Sequence, residues 1–243
     1  MRITKQLKIA GNEQKLVSDS IRLEMQTPGR CVLTVKSDVL PVQNALIEIN
    51  GSLGAGELRR LFLGYIDKLT IIQDGLYKIV GRELSATLNR RVALNLRHVT
   101  PAQVLEEISH LTSHEFILPN SEWKNKTVAR FQHIGGGYGA LDYLLSAWRV
   151  EKGFWHQQAN GQIYVGECEK SVPGQKIISI DAKKFESMSA KGGTLPLVPR
   201  LRPGVQIDTA GQVNFINSVD IVGETMRLNW LANPWEIDIK AIQ

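Results

Sequence analysis

The sequence predicts an α+β fold dominated by strands, with two small β modules on either side of an α/β insert. Three observations point there. Leu61–Gly81 reads as two strands folded back at Asp74-Gly75, and Asp-Gly between alternating runs is a strong short-range hairpin signal. The same design returns in Val213–Trp230, where Phe215 matches Phe62, Val219 matches Ile66, Asp220 matches Asp67, and Gly223-Glu224 forms the turn. Between the two hairpins the apolar period lengthens from two residues to that of a helix.

The elements follow in order. Leu7–Ala10 is a short alternating strand, and Ile21, Leu23 and Met25 alternate with Arg22, Glu24 and Gln26 before a turn at Pro28-Gly29. Cys31, Leu33 and Val35 face one way and Val32 and Thr34 the other. Ala45, Ile47 and Ile49 form a strand expected to end at Asn50-Gly51. Five or six short strands with Gly and Pro turns make a small sandwich or barrel over residues 1–90.

In the insert, residues 91–170, Ser85–Asn89 leads in with a helical turn. Thr100-Pro101-Ala102-Gln103 then combines a Thr N-cap, a Pro at the first helical position and a Gln able to close a capping box. Val104, Leu105, Ile108 and Leu111 make the apolar stripe of that helix. Strands are expected at Phe116–Leu118 and Val128–Phe131, around a polar loop from Pro119 to Lys126. A second helix, Ala140–Lys152, carries Leu141, Leu144, Leu145 and Trp148 and stops at Gly153. Asn160-Gly161 joins the strands Phe154–Gln158 and Gln162–Val165. Residues 171–243 return to β: Ile177–Ile180, a helical turn within Asp181–Met188, a tightly routed LPLVPRLRPG, the second hairpin, and a last strand through Trp235, Ile237 and Ile239.

Composition excludes several classes. With 43% hydrophobic and 22% charged residues the chain can bury a real core, and no apolar run reaches the roughly 18 residues needed to span a bilayer. The first residues hold no apolar block behind their charges, so no signal peptide is expected. Cys31 and Cys168 lack CxxC spacing and read as two buried thiols in a reducing compartment, with one disulfide as the alternative. The net charge of +5 is spread over the pairs Arg59-Arg60, Arg90-Arg91, Lys183-Lys184 and Arg200/Arg202, a pattern of solvated surface rather than a nucleic-acid stripe.

No chemistry-bearing pattern survives inspection. Gly135–Gly139 lacks the spacing of a dinucleotide loop and the Lys-Ser/Thr of a P-loop. Glu107, His110 and His114 lie at i, i+3 and i+7, which suits an exposed helix face better than a metal site. His98, His133 and His156 read as packing or surface residues. Asp67 and Asp220 sit at matching hairpin positions, which argues for a repeated structural role over a catalytic pair. Trp123, in the polar loop, is the one aromatic placed to stack on a sugar or base. The expectation is no enzyme, no catalytic, cofactor-binding or metal residues, and no cofactor.

The order of parts resembles the baseplate hub proteins of phage tails, and the hub portion of type VI secretion spikes. Thr100–Ser109 (TPAQVLEEIS), Leu141–Val165, the Phe-x-Gly-x-Ile of the first hairpin and the Mu-like stretch Asp181–Ile207 carry the likeness. The resemblance implies two tube-like β-barrels at 1–90 and 171–243 flanking the insert. It implies a homotrimer, three chains posing as six, that adapts a six-fold tail tube or distal tail protein to a three-fold spike or central fibre. The tape measure protein is a further partner it suggests. Genome DNA would pass the lumen unbound, without membrane insertion by this chain, in a virion tail tip assembled in the host cytoplasm, as in a prophage. The competing reading is a monomer that holds carbohydrate or nucleic acid with Trp123 and the basic pairs.

Overall fold

A computed structural model describes residues 3–54, 56–209 and 211–236. The first part holds β1 (Ile3–Ile9), β2 (Asn12–Glu24), β3 (Thr27–Lys36), β4 (Leu46–Leu53), β5 (Arg59–Gln73) and β6 (Leu76–Glu83). All neighbours are antiparallel. The ladders run β1–β4–β5–β6–β3–β2, and β2 pairs back onto β1 from Leu7↔Gln14 to Ile9↔Asn12, so the pairings form a cycle. Strand alternation sends Leu7, Ile9, Ile21, Leu33, Val35, Ile47, Ile49, Phe62, Ile66 and Ile79 inward.

Three details differ from the sequence reading. The chain turns at Met25-Gln26, where Gln26 takes φ +53°, and Pro28 and Gly29 already belong to β3. β4 continues through Asn50-Gly51 to Leu53. In β5 a bulge at Asp67 breaks the alternation, so Leu69 pairs with Ile79 on the core side instead of sharing the face of Tyr65. Asp74-Gly75 does form the turn, with Gly75 at φ +69°.

The insert comprises β7 (Arg91–Val99), α1 (Pro101–Thr112), β8 (Phe116–Ile117), β9 (Val128–Gly136), α2 (Gly137–Ala147), β10 (Gly153–Gln157) and β11 (Ile163–Glu167). Thr100 caps α1 as expected: its hydroxyl accepts from Gln103 N–H at 3.4 Å while Gln103 Oε1 accepts from Thr100 N–H at 2.9 Å. Val104, Leu105 and Ile108 are buried, but Leu111 is 44% exposed. Thr112 takes the inward place, its hydroxyl donating to the Ile108 carbonyl. β7 was not expected; it pairs with β9 as a two-stranded ribbon, although Val92, Leu94 and Leu96 alternate with Arg91, Ala93 and Asn95 in plain view. α2 starts three residues earlier than the Ala140 expected and ends five before Lys152. The β10–β11 connection is a turn closed by Gly161 N–H to Gln158 O, with Gly161 at φ +94° and Asn160 not left-handed. It is a three-residue loop rather than a two-residue type I′ turn.

The last part holds β12 (Ile177–Ser179), β13 (Ser187–Ser189), β14 (Gly192–Pro196), β15 (Gln206–Thr209), β16 (Gln212–Val222) and β17 (Thr225–Leu231). Its ladders run β12–β15–β16–β17–β14–β13. That is the ladder order of β1–β6 repeated with the same order along the chain, each strand number raised by eleven. Two differences stand out: β12 runs parallel to β15 where β1 is antiparallel to β4, and among the described residues β12 and β13 do not pair. The expected final strand at Ile237 and Ile239 lies outside the described residues.

The hairpin echo is therefore real but set three residues off. β4 stops pairing with β5 at Tyr65 and β15 stops pairing with β16 at Phe215, and bulges follow at Asp67 and Asn217. Ile66 corresponds to Ile216, Leu69 to Val219 and Ile71 to Ile221. Asp67 and Asp220 are not equivalent: Asp67 is the exposed bulge residue, whereas Asp220 faces Arg22 at 3.5 Å.

The two β parts share one apolar cluster, from Leu7 to Trp230, and one continuous sheet. The insert has its own core around Leu88, Phe131, Leu144, Trp148 and Trp155. No helix among the described residues is long and apolar enough to cross a membrane.

Candidate assembly surfaces

The residues weighed for chemistry do not come together. Glu107 and His110 are exposed on α1, while His114 is buried and meets the Thr87 hydroxyl at 2.7 Å. His133 Nε2 lies 3.1 Å from the Gly136 carbonyl, and His98 is exposed. Gly135–Gly139 joins β9 to α2, with Gly137 packed against the Leu88 carbonyl. Both cysteines are free and buried. Burial pushes both thiols up to about 12, so neither is a ready nucleophile. Trp123 is only 8% exposed and packs in the insert's core, which removes the stacking residue of the ligand-binding reading.

What the fold does build is a polar lock between its parts. Arg202, from the LPLVPRLRPG stretch, donates to the carbonyls of Arg60 (2.9 Å) and Leu61 (3.3 Å) and lies 3.8 Å from Glu83. Glu83 in turn accepts from Gly29 N–H at 2.7 Å. Burial raises the Glu83 carboxyl above its ordinary value, against the pull of Arg202 and Gly29. The insert joins through Gln157, which donates to Leu63 O and accepts from Ser85 N–H, both at 2.8 Å. Met25, Phe154, Tyr164, Cys168 and Phe215 form a small apolar cluster drawn from all three parts. A crevice of about 960 Å³ opens beside the lock, with Leu58, Arg59, His156, Lys176 and Arg200 in its walls.

His156 adds a pH dependence. It stacks on Phe154 at 4.9 Å with Nδ1 shut off from solvent and unpartnered among the described residues. Burial, helped by Arg202, lowers its pKa to about 3. A depressed His contributes stability that is whole above its unfolded value near 6.5 and is lost as pH falls toward 3, at up to about 1.4 kcal/mol per pH unit. Glu83, being raised, works in the opposite sense: its contribution is whole at low pH and declines as pH rises through its folded value. Subtracting the unfolding free energy of His156→Gln from that of the native chain isolates the histidine. That difference is expected to decline steadily from pH 6.5 to pH 4, and a flat difference would refute the assignment.

The sheet edges are the other feature. β2 and β16 each divide one edge between two neighbours. β2 meets β1 at Asn12–Gln14 and β16 at Ser20–Glu24; β16 meets β15 at Gln212–Phe215 and β2 at Ser218–Val222. The equivalent edge of β5 beyond its bulge, Lys68–Gln73, has no backbone partner among the described residues. Burial follows suit: Ile221, covered by β2, is 2% exposed and its equivalent Ile71 is 62% exposed. Ile72, Val39, Leu40 and Val42 are exposed as well. β13, the equivalent of β2, has no partner on its outer edge among the described residues, and Met188 there is exposed.

Comparison with known proteins places this architecture. The chain superposes on the 43 kDa tail protein of prophage MuSo2 from Shewanella oneidensis with a TM-score of 0.72, covering 95% of this chain and 98% of that one at 9% identity. It superposes on a tail protein from Neisseria meningitidis with a TM-score of 0.71, covering 95% and 96% at 10% identity. The fold is that of phage tail proteins. An Escherichia coli type VI secretion component, itself described as similar to the T4 tail proteins gp27 and gp5, matches with a TM-score of 0.65 over 93% of this chain and 76% of that one, at 16% identity. In sequence, an uncharacterized 58.7 kDa protein of Haemophilus phage HP1 is 24% identical over 224 residues. That match covers 92% of this chain but 41% of the relative, so the chain spans about two fifths of its length. No family model matches. The resemblance to phage tail proteins is thus matched in fold.

Proposed function

We propose that the chain is the structural hub of a phage tail tip or baseplate. Residues 1–90 and 171–243 act as two tube-like β domains around the insert at 91–170, and three chains form a ring that fits a six-fold tube to a three-fold spike or central fibre. The observation that carries this reading is the repeated six-strand ladder order, with one strand edge of each type used inside the chain and one without a partner among the described residues. A polypeptide that folds one module twice offers three-fold and pseudo-six-fold faces at once.

The internal contact tells what would cover the free edges. Inside the chain, β2 of the first module lies on β16 of the second. The same step between chains sets β13 of one copy on the Lys68–Gln73 edge of β5 in the next. This is a heterologous contact, and it closes after three copies if each step turns by about 60°. It would pair two exposed edges and cover Ile71, removing an aggregation hazard.

Native mass tests the proposal. The chain, alone or with tail-tube protein present, is expected at three times 27.1 kDa, and Ile71→Asp is expected to return it to the monomer mass while remaining folded. A hexamer, or a monomer that persists with tube and spike proteins supplied, would overturn the three-chain ring.

A further inference from the structure

The β7–β9 ribbon holds a charge pattern that the hub role leaves unused. Between Asn89 and Glu106 the chain carries Arg90, Arg91 and Arg97 and no acid; between Glu122 and Asp142 it carries Lys124, Lys126 and Arg130 and no acid. The two segments thus carry six positive side chains and no carboxylate, and the β7–β9 pairing brings them side by side.

Register places half of that charge on one surface. Arg91↔Gly136, Ala93↔Ile134, Asn95↔Gln132 and Arg97↔Arg130 are cross-strand partners, and alternation sends them all to the same side. Every side chain of that set is exposed, while Val92, Leu94 and Phe131 on the reverse side are buried against the insert's core. Arg97 stands directly opposite Arg130, a like-charge pairing that disfavours the ribbon by itself. None of Arg91, Arg97 and Arg130 forms an ion pair with a described residue. At the centre lies Ile134, 67% exposed, with Ala93 across from it.

We propose that this ribbon face docks an acidic protein surface, carboxylates meeting Arg91 at one end and Arg97 and Arg130 at the other, with an apolar recess over Ile134. An apolar centre inside a charged rim is the anatomy of a protein–protein contact. A nucleic-acid face would want cations along its whole length or exposed aromatics for stacking, and this face has an isoleucine and an alanine in the middle. The unpaired arginines supply complementarity and steering toward a negative partner. The site is distinct from the β5 and β13 edges, and only the expectation that the partner is a tail protein rests on the proposed function.

The test uses tails assembled from the complete tail gene set, with a photo-crosslinking amino acid at position 134. The expected product joins position 134 to one other tail protein, within a stretch where Asp and Glu outnumber Lys and Arg. Arg97→Glu with Arg130→Glu should cut the yield at least ten-fold with the thermal midpoint unchanged. Arg97→Lys with Arg130→Lys should keep most of it, and Lys at the partner's acidic positions should restore the yield of the Glu double variant. Cross-linking to DNA, to a second copy of this chain or to an acid-poor stretch overturns the inference, as does a yield indifferent to charge. If the chain enters tails yet gives no product, the inference fails; if it never enters tails, the proposed hub role fails instead.

Discussion

Replacing Gly64 by alanine is expected to cost about 3 kcal/mol or more in urea unfolding, the largest effect of any one-carbon change in the first module. Gly64 is the glycine of Phe62-x-Gly64-x-Ile66, and it pairs with Glu83 across the β5–β6 ladder. A Cβ there would lie 2.0 Å from the Arg82 carbonyl oxygen and 2.7 Å from Phe62 Cε1. The nearer obstacle is backbone, so no rotamer change can relieve it; β5 and β6 must separate next to the Asp67 bulge. The same displacement would shift Glu83 away from Gly29 and Arg202. A variant that unfolds within about 1 kcal/mol of the native chain would show that the strands have slack, contrary to this packing.

Arg202→Ala is expected to lose about 3 kcal/mol, the low end of what breaking a buried pair costs, since the guanidinium side chain is 23% exposed and Glu83 8%. The loss has three sources: a carboxylate left with a single backbone donor, and the two carbonyls of Arg60 and Leu61. Arg202→Lys should recover less than half, because an ammonium lacks the flat fork that reaches the carbonyls and Glu83 together. Pairing the change with Glu83→Gln should cost less than the sum of the single changes, and a double-mutant cycle reads that coupling directly. Additive free energies would mean that the ion pair is incidental. The variant should also raise the pKa of His156, since Arg202 is one of the two influences that hold it down.

How much of this was legible in the sequence follows from the range of the forces. Turns and caps are local, so Asp74-Gly75, Gly223-Glu224 and the Thr100–Gln103 box could be read directly. Bulges are set by the partner strand, so the resets at Asp67 and Asn217 were invisible. That is why the repeat was noticed but aligned three residues off. β7 escaped although its period of two was present: only Val92, Leu94 and Leu96 carry the pattern before His98 breaks it. Trp123 looked exposed because its neighbours are polar; the short helical turn at Glu122–Asn125 rolls it inward. The free edge of β5 could not be seen in any one segment, since it exists only by contrast with the covered edge of β16.

That contrast also sets an order of assembly. The β2–β16 contact joins segments of a single polypeptide, so it forms at the millimolar effective concentration that tethering provides. In the proposed ring, its counterpart between chains would have no such advantage and would wait for enough copies, or for a template that gathers them. Each subunit would then arrive with half of its ring contacts already made. A switch from free subunit to closed ring would act on the remaining half alone.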